Sequence, residues 1–303
     1  MDDAQHAAVN TEMILVGGHR GSGCTDSAHA APWGRLKYAE NTIPSIRKAI
    51  SDGAEYIEVD VIQTKDDQLV VTHSNDLSQH VFGIKNLGFV SDYTLAELQE
   101  MGFGPKNDGV IPTLEEVLDL CSDITLNIEI KDVKGTDGDK FEAGRKLLFE
   151  ILADKLTRHT GEIILSSFSE WDLKKAHELM PQVKLGMLFD THDKNEHAIY
   201  KGGDDKSKYL HFTPKNLKKI ASEFPISYAH PCLGSTPEES LKLCKELGLG
   251  VNAWSYNELP PTDNPAPITQ CADVCLELDI PLTIMTDFVP EMVEFLESYN
   301  QKR

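Results

Sequence analysis

The sequence predicts an α/β protein, a (β/α)8 TIM barrel, on three observations. Short apolar runs alternate with segments of helical periodicity along 303 residues, the runs number about eight, and the residues that close them are polar. Barrels of this kind carry their chemistry at the C-terminal rim of the strands, so this distribution favours an enzyme over an inert scaffold. A single barrel accommodates the chain as one domain over 1–303, with a flexible N-terminus over 1–12 and a small insertion, an excursion at the rim, over about 74–112.

Residues 13–18, Met-Ile-Leu-Val-Gly-Gly, read as the first strand and run directly into His19, Arg20 and Gly21. Residues 22–39 lack periodicity and are expected to be a loop. Ile43, Ile46 and Ile50 recur at helical spacing behind Asn41 or Thr42 as N-cap, with Pro44 in the first turn and Gly53 at the end. The second strand, opening at Tyr56, carries Glu58 and Asp60 two apart and therefore on one face. A polar turn over 65–68 leads into Leu69, Val70 and Val71, a short return strand that brings His73 back toward Glu58 and Asp60. Within the excursion only 94–101 reads as a helix. Thr113 with Glu116 forms a capping box ahead of Leu114, Val117, Leu118 and Cys121.

The strand at 125–131 alternates, which puts Asn127, Glu129 and Lys131 on one face and Leu126, Ile128 and Ile130 on the other. In a closed barrel the polar face is the lumen. Further strands are expected at 163–167, 184–189, 227–233, 250–255 and 282–287, and helices are expected to start at Ser169 with Asp172, at Thr213 before Pro214, and at Thr236 before Pro237 with Glu239. Residues 190–208 read as a solvated loop.

Composition narrows the function. The formal net charge of −20 disfavours nucleic acid and anionic membranes as partners, while leaving room for a small anionic substrate where positive charge is concentrated locally. No apolar run approaches the ~18 residues needed to span a bilayer, so no stable membrane insertion is expected. The opening MDDAQHAAVNTE has neither a basic nor an apolar signal region, and a cytoplasmic location is expected. The six cysteines show no Cys-x-x-Cys spacing, and Cys271 and Cys275, one helical turn apart, read as a small apolar helix face.

The chemistry is concentrated around Glu58 and Asp60. Two like charges on one face of an apolar strand repel each other and lose hydration, unless a cation or basic side chains stand between them. Glu129 adds a third carboxylate, and an all-oxygen set suits one hard divalent cation, Mg2+ or Ca2+. Arg20 and Lys131 supply the charge that a phosphate needs, and His19 and His73 titrate where proton transfer near neutral pH requires. Together these residues describe a phosphodiester hydrolase. Trp254, at a strand end, fits either core packing or a substrate wall. Ser167 reads as a capping hydroxyl, with no nucleophile elbow around it, and nothing points to His211 or His230.

The run Gly18-His19-Arg20-Gly21, Glu40-Asn41-Thr42, Glu58-Val59-Asp60-Val61, His73 and Glu129-Ile130-Lys131 resembles the glycerophosphodiester phosphodiesterase family in order and spacing. The likeness continues through 111–118, Ser167-Phe168, Trp254-Ser255-Tyr256-Asn257 and Thr286-Asp287. The resemblance implies a TIM barrel, with His19 and His73 as the acid/base pair and Glu58, Asp60 and Glu129 as ligands of the divalent cation. It further implies phosphate contacts from Arg20 and Lys131 and a supporting or substrate-contacting Glu40; Trp254, within a matching segment, stays a candidate substrate-binding residue. The implied reaction turns a small-molecule glycerophosphodiester and water into glycerol 3-phosphate and an alcohol. Two positions depart from the family pattern: Ser74 follows His73 where Asp is usual, and the usual Leu-x-Arg-x-Thr reads Leu77-Ser78-Gln79-His80. Two other readings compete. A lysophospholipase D would use Phe82, Phe89 and Phe103 as an apolar mouth, and a catalytically silent barrel would only bind a diester or a partner.

Overall fold

The computed structural model describes residues 14–22, 38–79, 87–103, 109–131, 139–190, 209–255 and 260–303. The expected N-terminal segment 1–12, most of the loop over 22–39, the loop over 191–208, Cys24 and Phe82 lie outside the described residues. Strand β1 (Ile14–His19) is followed by helix α1 (Ile43–Ser51), β2 (Tyr56–Gln63), the short β3 (Leu69–Val71), α2 (Leu95–Glu100) and α3 (Leu114–Leu120). The chain continues as β4 (Thr125–Ile130), α4 (Asp139–Leu156), β5 (Ile163–Ser167), α5 (Glu170–Leu179), β6 (Lys184–Phe189), α6 (Pro214–Glu223) and β7 (Tyr228–Pro231). It ends with α7 (Glu238–Leu247), β8 (Gly250–Ala253), α8 (Ala266–Glu277), β9 (Leu282–Thr286) and α9 (Val289–Lys302).

The sheet order is β1-β9-β8-β7-β6-β5-β4-β2-β3, and β1 also pairs with β2, so eight parallel strands close into a barrel. Strand β3 is the exception. It lies antiparallel on β2, with Val61 opposite Val71 and Gln63 opposite Leu69, and forms the expected hairpin. The period-two pattern sorts the side chains. Ile57, Val59 and Val61 of β2, and Leu126, Ile128 and Ile130 of β4, belong to the large core between strands and helices. Tyr56, Ile164, Leu188, Cys232, Trp254 and Met285 pack inside the lumen. The excursion has a smaller core of its own, Ile62, Val70, Leu77, Val90, Leu98, Phe103 and Ile111.

Helix starts follow local chemistry. Thr42 caps α1 by accepting from the Ser45 amide, while Thr94 and Thr113 open α2 and α3 with reciprocal boxes to Glu97 and Glu116. Ser169 and Thr213 cap α5 and α6 as expected. The cap expected at Thr236 is not formed: Pro237 occupies the N-cap of α7, and the Thr236 hydroxyl donates instead to the Leu233 carbonyl. The cause is β7, which stops at Pro231, short of the expected 233. Proline has no N–H for a ladder, and the chain turns into a 3-10 turn over Leu233–Ser235. Strands β8 and β9 likewise end earlier than expected, at Ala253 and Thr286. Cys271 and Cys275 are buried and reduced on the inner face of α8. No helix among the described residues is long and apolar enough to cross a membrane.

One lumen contact decides a residue on each of two strands. The His230 ring is fully buried and lies against Gly186 of the neighbouring strand, so that a Cβ placed on Gly186 would overlap the imidazole. Asn252 bridges Tyr56 and His230, its amide nitrogen 3.0 Å from the Tyr56 hydroxyl and 3.1 Å from His230 Nε2. Burial pushes the His230 pKa down to about 3, and the ring is neutral. Gly186→Ala is therefore expected to destabilise the fold by about 1–3 kcal/mol through overpacking. Adding His230→Ala should return part of that loss, and a double-mutant cycle by chemical denaturation showing strict additivity would contradict the contact.

Candidate active site

The site is built at the C-terminal ends of β1, β2, β4 and β9. Parallel register places His19 opposite Glu58 and Gly18 opposite Thr286, so Asp287, one residue beyond β9, stands beside His19. His19 Nδ1 is 2.9 Å from Asp287 Oδ1, and Nε2 is 4.0 Å from Glu58 Oε2. Burial and the nearby Arg20 charge oppose protonation of His19, yet Asp287 and Glu58 outweigh them and raise its pKa to about 9.

After His19 the backbone turns sharply. Arg20 adopts a left-handed φ of 52°, and Gly21 follows at 80°, where a Cβ would meet the Ser45 and Ile46 backbone at 2.7 Å. This turn aims the Arg20 amide at Glu58 Oε2, at 3.0 Å. The guanidinium donates from Nη1 to Glu40 Oε2 at 2.8 Å and places Nε 3.3 Å from Asp60 Oδ2. Asn41, also left-handed at 57°, grips Asp60 at two points: Nδ2 donates to Oδ2 at 2.8 Å, and Oδ1 accepts from the Asp60 amide at 3.2 Å. The Asn41 amide in turn donates to the Arg20 carbonyl at 2.9 Å, tying both turns together.

Lys131 lies just past β4 and spans two carboxylates, with Nζ 2.6 Å from Glu129 Oε1 and 3.2 Å from Asp60 Oδ1. The hairpin brings in His73. The Thr72 amide donates to the Asp60 carbonyl at 2.9 Å, and His73 Nδ1 stands 3.9 Å from Glu40 Oε1. The structure thus brings His19, Arg20, Glu40, Glu58, Asp60, His73, Glu129 and Lys131 into one cluster.

Its electrostatics are uneven. Burial opposes ionisation of Asp60, but Lys131, Arg20, His73 and the Asn41 hydrogen bond hold its carboxyl far below the usual range. Glu58 goes the other way, where burial and the Asp60 charge push it up to about 8. Burial and Asp60 also raise Glu129, against the pull of Lys131. Burial disfavours the Lys131 charge, but Glu129 and Asp60 more than compensate and keep it protonated.

A divalent cation fits this set. Glu58, Asp60 and Glu129 each offer a carboxylate oxygen, all within 4.8 Å of one another. Glu58 Oε1 is buried without a hydrogen-bond partner, as expected of an atom whose partner is an ion. The donors are all oxygen, the chemistry of Mg2+ and Ca2+.

Trp254 sits apart, just past β8, across the barrel from β4. It is 8% exposed, donates from Nε1 to the His230 carbonyl at 3.0 Å, and meets Phe168 edge-on at 5.7 Å between centroids. Ser167 caps: its hydroxyl lies 3.2 Å from both the Ile130 carbonyl and Asp172 Oδ2 and accepts from the Ser169 amide at 3.1 Å. Phe103 is buried in the excursion core, whereas Phe89 is exposed. Two contacts to the cluster had no reading from sequence. Asn41 was a candidate helix cap, and Asp287 was only one of several polar strand ends; the sole signals were their places in Glu40-Asn41-Thr42 and Thr286-Asp287.

The model of the glycerophosphoryl diester phosphodiesterase family matches residues 19–288. A glycerophosphodiester phosphodiesterase of Caldanaerobacter subterraneus is 35% identical over 161 residues, which cover 50% of this chain and 61% of that protein. One from Bacillus subtilis is 32% identical over 169 residues, 50% of this chain and 55% of that protein. The chain therefore spans a little over half the length of the curated relatives it matches. Among solved structures, a Thermotoga maritima glycerophosphodiester phosphodiesterase superposes with a TM-score of 0.60 at 24% identity, covering 93% of this chain and 98% of that one. An Oleispira antarctica phosphodiesterase in complex with the product sn-glycerol-3-phosphate does so with a TM-score of 0.65 at 19% identity, covering 94% and 96%. At these identities the structural likeness bears on the fold.

Glu58 carries the clearest prediction for stability. A carboxyl whose folded pKa lies above its unfolded value binds its proton more tightly when folded, so its contribution to stability falls as pH rises from about 4.5 through about 8. In ion-free buffer Glu58→Gln is expected to match wild type at low pH and to exceed it by roughly 1–3 kcal/mol near pH 9. Denaturation curves that stay superimposed across that range would contradict the burial of this charge.

Proposed function

The chain belongs to the glycerophosphoryl diester phosphodiesterase family, and on that premise we propose that it hydrolyses glycerophosphodiesters to glycerol 3-phosphate and an alcohol. One observation carries the reading: two histidines, an arginine and a lysine converge on three carboxylates at the barrel rim, one of which leaves a buried oxygen without a partner. The product-bound Oleispira phosphodiesterase, of like fold, supports the substrate class.

In this reading Glu58, Asp60 and Glu129 hold one divalent cation, Mg2+ or Ca2+, which when bound supplies Lewis-acid polarisation of the phosphoryl oxygens. Arg20 and Lys131 bring positive charge to the same rim, where charge develops on a phosphoryl group under attack. Glu40 fixes the Arg20 fork through its 2.8 Å contact. His19 and His73 divide the proton work, one accepting a proton from the attacking hydroxyl and the other delivering one to the departing alkoxide oxygen. Trp254 and Phe168 form the apolar wall that faces this charged half. The large negative net charge repels polyanions, and the substrate is accordingly small.

The test is release of glycerol 3-phosphate from glycerophosphocholine and glycerophosphoethanolamine with Mg2+, Ca2+ or EDTA. Wild type is expected to turn over only with an ion, His19→Ala to lose roughly 10²–10⁴-fold in kcat, and Glu58→Gln to lose both activity and the rise in Tm that the ion gives wild type. Undiminished turnover in EDTA, or in His19→Ala, would sink the mechanism.

A further inference from the structure

We propose that Asp287 is a positioning residue that dedicates Nδ1 of His19 to a fixed hydrogen bond, so that Nε2 is the nitrogen that exchanges protons with the substrate. The assignment rests on the hydrolytic reading above for its catalytic meaning. Its structural content stands on geometry alone.

The pair is made by barrel closure. β9 is the neighbour of β1, and the register Gly18 opposite Thr286 continues by one step into His19 and Asp287, two side chains 268 residues apart in sequence. The 2.9 Å separation is that of a charge-assisted hydrogen bond, and the two side chains are only 15% and 19% exposed. A carboxylate can only accept, so the hydrogen in this contact belongs to Nδ1. Nε2 is left on the opposite edge of the ring, toward Glu58 Oε2 at 4.0 Å and the cluster.

Asp287 is itself held firmly. Thr286 is fully buried, and its hydroxyl accepts from the Phe288 amide at 3.0 Å, which pins the turn that carries Asp287 out of β9. Phe288 is the N-cap of the 14-residue α9, so Asp287 stands one residue ahead of the positive end of a helix, a place that favours a charged carboxylate. His73 has a different setting: its Nδ1 is 3.9 Å from Glu40 Oε1, and its loop is carried by the hairpin rather than by the closing strand. The two histidines are thus not equivalent. His19 meets the carboxylate that follows the closing strand at 2.9 Å, and His73 meets Glu40, ahead of α1, at 3.9 Å.

The test compares wild type with Asp287→Asn and Asp287→Ala, using 15N-histidine NMR with a His19→Ala spectrum to identify the signal, alongside kcat and KM for glycerophosphocholine. In wild type the His19 Nδ1 resonance is expected to show a directly bonded hydrogen shielded from exchange with water, and Asp287→Ala is expected to lose that shielding. Asparagine keeps the shape but offers an N–H to Nδ1, which moves the ring proton to Nε2; kcat is then expected to fall roughly 10²–10⁴-fold, at least as far as in Asp287→Ala, with KM changing by less than about threefold. A merely structural role would make asparagine the milder change. A wild-type His19 without a bonded hydrogen on Nδ1, or wild-type kcat in both variants, overturns the assignment. The spectroscopic arm needs no turnover, so a wild type that hydrolyses no diester yet keeps the shielded hydrogen on Nδ1 overturns the hydrolytic reading while upholding the Asp287–His19 pairing.

Discussion

Asp60 is the charge on which the rest of the site depends. It is fully buried, and a buried carboxylate without partners is expelled or protonated. Here Lys131, the Arg20 guanidinium and the Asn41 side chain converge on it from three different segments. Each of those segments must adopt a particular conformation to arrive. The left-handed backbone at Arg20 and Asn41 is costly for residues other than glycine, and the Asp60 contacts are what offset it. The same arrangement leaves Glu58 with too little positive charge and a raised pKa. One carboxylate is over-neutralised and its neighbour under-neutralised, and this imbalance is what makes the cluster receptive to a cation.

Much of this was legible in the sequence because much of it is local. A period of two along one strand puts Glu58 with Asp60, and Glu129 with Lys131, on a shared face whatever the rest of the chain does. Helix starts at Thr42, Thr94, Thr113, Ser169 and Thr213 follow from a hydroxyl that accepts from the backbone amide three residues on. Thr236 failed for an equally local reason, a proline five residues earlier that ended the strand and redirected the hydroxyl. What stayed hidden depends on closure or on backbone sign. Asp287 meets His19 only because the last strand docks on the first, and Asn41 reaches Asp60 only from a left-handed turn. His230 reads as an ordinary polar strand residue until Gly186, on the neighbouring strand, is seen to vacate the space its ring fills.

The lumen is divided into a charged half and an apolar half. Charged residues come from β1, β2, β4 and the β9 end, while Leu188, Cys232 and Trp254 from β6 to β8 line the other side. Phe168 connects the halves, standing two residues beyond Ser166, the register partner of Glu129, and packing on both Tyr209 and Trp254. A charged group and an apolar wall therefore face each other across one opening. The hairpin adds His73 to the charged side, and the excursion beyond it packs on Ile62 of β2 and Val70 of β3 in a core separate from the barrel's main one.

The closing of the barrel by β9 on β1 also sets an order of events during synthesis. His19 emerges from the ribosome near the beginning of the described chain and Asp287 near its end, so every intervening unit must be made before the two can meet. Until then β1 presents an unpaired edge. A nascent or truncated chain lacking the last strand would thus keep that edge exposed and adhesive. Pairing of His19 with Asp287 and completion of the barrel become a single step, and the rim cluster is whole only when the edge of β1 no longer needs protection from its neighbours.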